Sequence, residues 1–228
     1  MNSLPELATP FSFITPQTVF SIPSREHQVL NLDEQLAEQC CDIMSRDGDD
    51  IFISCSRYFS FVHTWFPIIA KEELYDRISH LRSSPKGDFS LLVLTIHLVS
   101  QIYRQIPRER DSLEQLYYTT KGFYSILMST GRSSIEVIQA GLLLAVYEHH
   151  QALHDATYQT LGACARMGYT LGFDKTLSQD ILPNAQTNSV TERQRQVWWG
   201  IIIFERYLHT QKISKRNSFV KHSNLDYD

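Results

Sequence analysis

The chain has only four cysteines, at 40, 41, 55 and 164, and none of them forms a CxxC pair or one half of a zinc-ligand pattern. That spacing excludes a zinc finger or ribbon and reads as reduced, buried thiols in an intracellular protein. Positive charge is not in excess either. Lys and Arg number 21 against 25 Asp and Glu, a net charge of −4, so no overall field favours a phosphate backbone and these residues are not expected to touch nucleic acid themselves. Long apolar runs are also missing. The stretches 141–147 and 200–204 fall far short of the roughly 20 residues a spanning helix needs, which excludes membrane insertion through them. The opening MNSLPELATPFSFITP has no basic region and carries Pro5, Pro10 and Pro16, so it is not a signal peptide. A cytosolic or nuclear chain is expected. No run alternates with period two over a strand's length, and no fixed repeat marks a helical-repeat scaffold.

What is present is helical periodicity on an apolar background. At 43% apolar and 11% aromatic, 228 residues can build a sizeable core. After four prolines in the first 30 residues, the pattern predicts an all-α, irregular bundle of about eight helices. Asn31 can cap a helix carrying Leu32, Leu36, Cys40, Ile43 and Met44, and Asp49 or Asp50 the next, over 51–65, which Pro67 ends. Further helices are expected over 71–82, over 89–104 with Asp88 as cap, and over 110–128. Ser133 and Glu136 have capping-box spacing ahead of 135–149, the most apolar segment and the expected centre of the core. In the helix over 155–171, Gly162, Ala165, Gly168 and Gly172 recur along one side, which predicts a backbone-close neighbour, with Gly172 also able to terminate the helix. Thr191 and Gln194 fit a second capping box.

The last helix, 192-ERQRQVWWGIIIFERYL-208, distributes Val197, Trp198, Trp199, Ile201, Ile202, Phe204 and Leu208 around nearly its whole circumference. It is expected to be buried on most sides. Glu205 and Arg206 must then reach solvent or find partners, because an isolated buried charge is very unfavourable.

This block resembles the signature of the fungal-specific transcription factor regulatory domain, the middle homology region of fungal zinc-cluster regulators. The blocks 58-YFSFVHTWFPII-69 and 141-GLLLAVYEHHQALHDATYQTLGACARMGYTLGF-173 agree with it in the same order, so the resemblance covers about residues 51 to 208. It implies an all-helical regulatory domain that, in relatives, follows a DNA-binding zinc cluster and modulates it in the nucleus, often at genes of a metabolic pathway. Zinc and DNA belong, by that resemblance, to a module needing six closely spaced cysteines. None precedes Cys40, so no cofactor is expected in this chain and DNA binding is expected only through a module it lacks. Where relatives continue with more helices, 209-HTQKISKRNSFVKHSNLDYD-228 is polar and basic. The expected organisation is a flexible arm over 1–30, an incomplete regulatory domain over 31–208, and a disordered tail over 209–228, as in a fragment, isoform or truncated gene product. An uncovered 197–208 face is then expected to seek protein partners or to self-associate.

Catalytic readings are few. His150 and His154 stand one helical turn apart, a spacing two metal ligands can use, but without HExxH or a third ligand a solvated helix end is the better account. Asp47, Asp49 and Asp50 lack the further carboxylates of a calcium loop and read as helix caps. A small metal-dependent enzyme built on these histidines or aspartates is the alternative to a regulatory domain without enzymatic activity. GxSxG and GxxxxGK[ST] are both absent. Trp65, Trp198 and Trp199 can line an effector pocket with Arg206 as anion partner, against the plainer reading that aromatics at this spacing fill the core.

Overall fold

Pro23 is the last proline before a long helix-compatible stretch, and the first helix begins two residues after it. The computed structural model describes the backbone of residues 25–46, 50–81, 83–104, 109–177 and 189–223. Among these residues there are eight α-helices and no strand, in agreement with the all-α expectation. They are α1 (Arg25–Arg46), α2 (Ile51–Phe61), α3 (Lys71–Ser79), α4 (Gly87–Ser100), α5 (Arg110–Ser129), α6 (Ile135–His150), α7 (His154–Thr170) and α8 (Ser189–Ser223). Short 3-10 turns follow α4 at Gln101–Tyr103 and α7 at Phe173–Leu177.

The helix starts show how local and tertiary capping divide the work. Asp50 caps α2, its carboxylate accepting the amide of Phe52 at 3.2 Å, while Asp47 and Asp49 lie outside the described residues. At α6 the expected cap is displaced by one residue. Ser134, not Ser133, accepts the Val137 amide at 3.3 Å, and Glu136 turns instead to the Arg77 guanidinium at 2.5 Å, a charge-assisted partner stronger than a backbone amide. Asp88 does not cap α4 either. It lies inside the first turn, and the Gly87 amide is satisfied from another helix, by the Asp33 carboxylate of α1 at 2.6 Å.

α4 and α6 are the pillars of the core. Every residue from Leu91 to Ser100 in the one and from Val137 to Glu148 in the other is buried. α4 is surrounded by α1, α2, α5 and α6, and α6 packs against α7 and α8 as well. α2 stops at Phe61, short of the expected Trp65, and its chain continues as a turn in which Phe66 donates to the Val62 carbonyl at 2.9 Å. Pro67 has no amide to carry the helix further. Gly172 ends α7 at φ +74°, a conformation that side chains other than glycine adopt at a cost.

α8 departs from expectation in two respects. Val197, Trp198, Ile201, Phe204 and Leu208 are buried against α6 and α7, whereas Trp199, Ile203, Glu205, Arg206 and Tyr207 are exposed. The helix is therefore covered along one stripe and open on the other side, because no described element lies beyond it. Its backbone also stays helical to Ser223, through most of the span 209–228 read as a tail, and the sequence has no proline or glycine between Ile201 and Ser223 to stop it.

Candidate functional site

The four residues read as a possible effector pocket do not converge. Trp198 is buried, and its ring meets Gly168 of α7, where a Cβ would lie 2.8 Å from Cζ3. The backbone-close neighbour expected along α7 is thus α8, at Gly168. Gly162 meets only the guanidinium of Arg166. Trp65 and Trp199 are 55% and 47% exposed, and Arg206 is exposed at the end of the apolar segment. None of the four lines the recess found between α3, α4, α6 and the start of α8.

That recess, about 20 Å³, holds no more than a water-sized body. Glu73, Arg77, Phe89, Gln139 and Arg193 line it. Its charges neutralise one another: Arg193 of α8 pairs with Glu73 of α3, and Arg77 bonds Glu136 at 2.5 Å while its guanidinium lies 4.1 Å from the centre of the Phe89 ring. Gln139 donates to the Ile68 carbonyl at 2.6 Å. The arrangement ties the N-terminal end of α8 to α3, and α3 to α6, and among the described residues each charged side chain lining the space has a partner.

His150 and His154 are both exposed, at the junction of α6 and α7. The His154 ring is tilted against that of His149, centres 6.2 Å apart, and His149 in turn meets Phe204 and Tyr207 of α8 edge-on. Among the described residues no three His, Cys, Asp or Glu side chains are grouped to hold a metal ion. The cysteines are dispersed: Cys40, Cys55 and Cys164 are buried, and burial pushes the Cys55 and Cys164 thiols up to about 12. These thiols are protonated at neutral pH and unsuited to nucleophilic work.

The sequence reading missed Glu148. In EHHQALHD it sits beside the exposed histidines, yet its carboxylate is wholly buried. Lys121 Nζ of α5 approaches at 2.5 Å, the Thr160 hydroxyl of α7 donates at 2.7 Å, and the Tyr117 hydroxyl of α5 donates at 3.0 Å. Burial, and then the Glu148 charge, raise the Tyr117 hydroxyl well above the usual phenol range. Every strong acceptor of the carboxylate is engaged, so the group joins three helices and faces no cleft. No local signal marked it, since Lys121 and Thr160 lie 27 and 12 positions from Glu148 in sequence, on other helices.

What remains uncommitted is a surface. Trp199, Ile203 and Tyr207 are 47%, 59% and 45% exposed on successive turns of α8. Trp65 is exposed elsewhere on the surface, its ring 5.6 Å from that of Phe66, which packs on Phe204 and Gly200 along the covered side of α8. Three large apolar side chains exposed along one side of a helix are the kind of surface that marks a contact site.

The comparisons with known proteins meet this geometry. The family model described as the fungal specific transcription factor domain matches residues 55–211, from within α2 to the exposed face of α8. The chain is also 34% identical over 124 residues to transcription factor BOA15 of Botryotinia fuckeliana (strain B05.10), an alignment spanning 54% of this chain and 68% of that one. No solved structure matches. The matched helices are those that build the two-pillar core and present the α8 face, and the chain belongs to the fungal-specific transcription factor domain family.

Proposed function

We propose that the chain is a regulatory module of transcription that works in the nucleus through protein contacts on the outward face of α8 and carries out no reaction of its own. The observation that carries this reading is the exposed row of Trp199, Ile203 and Tyr207 along α8, within the family-matched helical body. Its ionisable groups in the interior support it, since buried Glu148 and half-buried Lys121, Glu136 and Arg77 are spent on joining helices. Zinc and DNA are assigned to the separate zinc-cluster module of full-length relatives, and no cofactor to these residues.

A reporter experiment tests the reading. The chain is fused to a heterologous DNA-binding module upstream of a reporter gene. Transcription is expected to change at least twofold relative to the bare module, and Ile203→Arg, at a solvent-facing position, is expected to return it to the bare level with the helical circular dichroism unchanged. Equal output from the fusion and the bare module would sink the proposal, as would a full response from the arginine variant.

A further inference from the structure

We propose that Ser84, in the link between α3 and α4, is a phosphorylation site for a proline-directed serine/threonine kinase, and that its phosphate draws Arg132 away from Asp33 and loosens α1. The inference goes beyond the reading of α8 and does not depend on it. In 80-HLRSSPKGD-88 Ser84 precedes a proline; Thr9 and Thr15 do so too, but lie outside the described residues. Kinases of this class take the acceptor segment in an extended form, in a pocket that offers no acceptor for the next residue's backbone N–H. Pro85 has no such N–H. The structure also separates Ser84 from its neighbour. Both serines are exposed, but the Ser83 hydroxyl donates to the His80 carbonyl at 3.1 Å, whereas among the described residues that of Ser84 has no hydrogen bond. Proline holds the residue before it out of the helical region, and Lys86 is extended at φ −134°, ψ 121°.

In the transfer, Ser84 Oγ attacks the γ-phosphorus of a nucleoside triphosphate as the bond from that phosphorus to the bridging oxygen breaks. The hydroxyl proton passes to the kinase's carboxylate base, and the nucleoside diphosphate leaves. The place of the new charge decides its effect. Ser84 stands three residues before Gly87, roughly 10 Å away along even a fully extended chain. A Cβ on Gly87 would lie 2.7 Å from Asp33 Oδ1 and 3.5 Å from Arg132 Nη1. The phosphate, about −1.5 to −2 in charge at pH 7 with three strong acceptor oxygens, thus stands within about a Debye length, ~10 Å at 0.1 M salt, of this group. It repels Asp33 and Asp88 and competes for the Arg132 guanidinium that both carboxylates share. The positive end of the α4 dipole attracts it to the Gly87 amide that Asp33 holds. All three effects displace Asp33, and with it the attachment of α1.

The full chain is treated with a purified mitogen-activated protein kinase and Mg-ATP, and the phosphate is mapped by peptide mass spectrometry. Incorporation at Ser84 is expected, abolished by Ser84→Ala, retained in Ser83→Ala and slowed at least tenfold in Pro85→Ala. On phosphorylation, amide hydrogen exchange in α1 is expected to quicken at least threefold, with no further rise in Arg132→Met, where the bond to Asp33 is already lost. A phosphate found at Thr9, Thr15 or Ser83 and not at Ser84 overturns the site, and an unchanged rate in Pro85→Ala overturns the class of kinase. A phosphate on Ser84 that leaves exchange in α1 unaltered, or that quickens it equally in Arg132→Met, overturns the coupling through Arg132.

Discussion

Glu148 is the side chain for which the core makes the most exacting provision. It occupies the last turn of α6, where the helix's own unpaired carbonyls already concentrate negative potential, and it is fully buried. Lys121, Thr160 and Tyr117 together make that position tolerable. Removing one partner of a buried ion pair leaves an uncompensated charge, whereas removing both does not. Lys121→Met is therefore expected to lower unfolding stability by about 3–5 kcal/mol in urea titrations at neutral pH. The double variant Lys121→Met/Glu148→Leu is expected to recover much of that loss. A double variant no more stable than the single one would show that shape, and not charge compensation, governs the site.

At the scale of the element, α7 and α8 illustrate why a glycine's meaning depends on what faces it. Gly168 lets the Trp198 ring lie on the α7 backbone, and a methyl group there would press on Cζ3 and Cε3 at 2.8 and 3.0 Å. An indole packed at 5% exposure cannot yield easily. Gly122 of α5 has nothing within 4 Å of where a Cβ would stand. Gly122→Ala is accordingly expected to raise stability by about 0.5–1 kcal/mol through helix propensity alone. Gly168→Ala gains the same propensity and loses it again to overpacking worth about 1–3 kcal/mol, for a net decrease. Thermal unfolding of the pair checks the argument, and a stabilised Gly168→Ala would remove the case for close α7–α8 packing. The spacing of glycines along α7 signalled a close neighbour, but it did not distinguish Gly168, which has one, from Gly162, which does not.

Across the whole molecule, α4 and α6 form a buried centre and the other helices are fastened to it by separate polar clasps. For α1 the clasp is Arg132, in the link between α5 and α6. Its guanidinium bonds both oxygens of Asp33, at 2.5 and 3.0 Å, and reaches Asp88 at 3.2 Å. Asp33 also holds the first amide of α4. Arg132→Met breaks a bidentate pair that spans 99 positions in sequence, together with the contact to Asp88 in the first turn of α4, and leaves the buried lengths of the two pillars untouched. Native-state hydrogen exchange is expected to show faster exchange in α1 and at the start of α4, with protection in α6 and α7 retained. Uniform loss of protection would mean that α1 folds as one unit with the centre.

The amino-acid sequence by itself determined the class of this fold. Helical periodicity, capping residues and breakers such as Pro67 and Gly172 act through the local backbone, and they placed most of the helices and the central position of α6. The three ordered blocks likewise carried the family resemblance that the match over residues 55–211 bears out. Which side of each helix meets a neighbour was decided only in three dimensions. Trp198 and Trp199 are adjacent and chemically identical, yet one is buried and the other is half exposed, because α7 covers a single stripe of α8. Glu136 left its expected cap for Arg77, Asp33 capped a helix 54 positions away, and Glu148 found Lys121. Periodicity counts apolar residues around a helix, whereas burial and charge pairing depend on which helices the chain brings alongside, and that is settled by the packing of the whole.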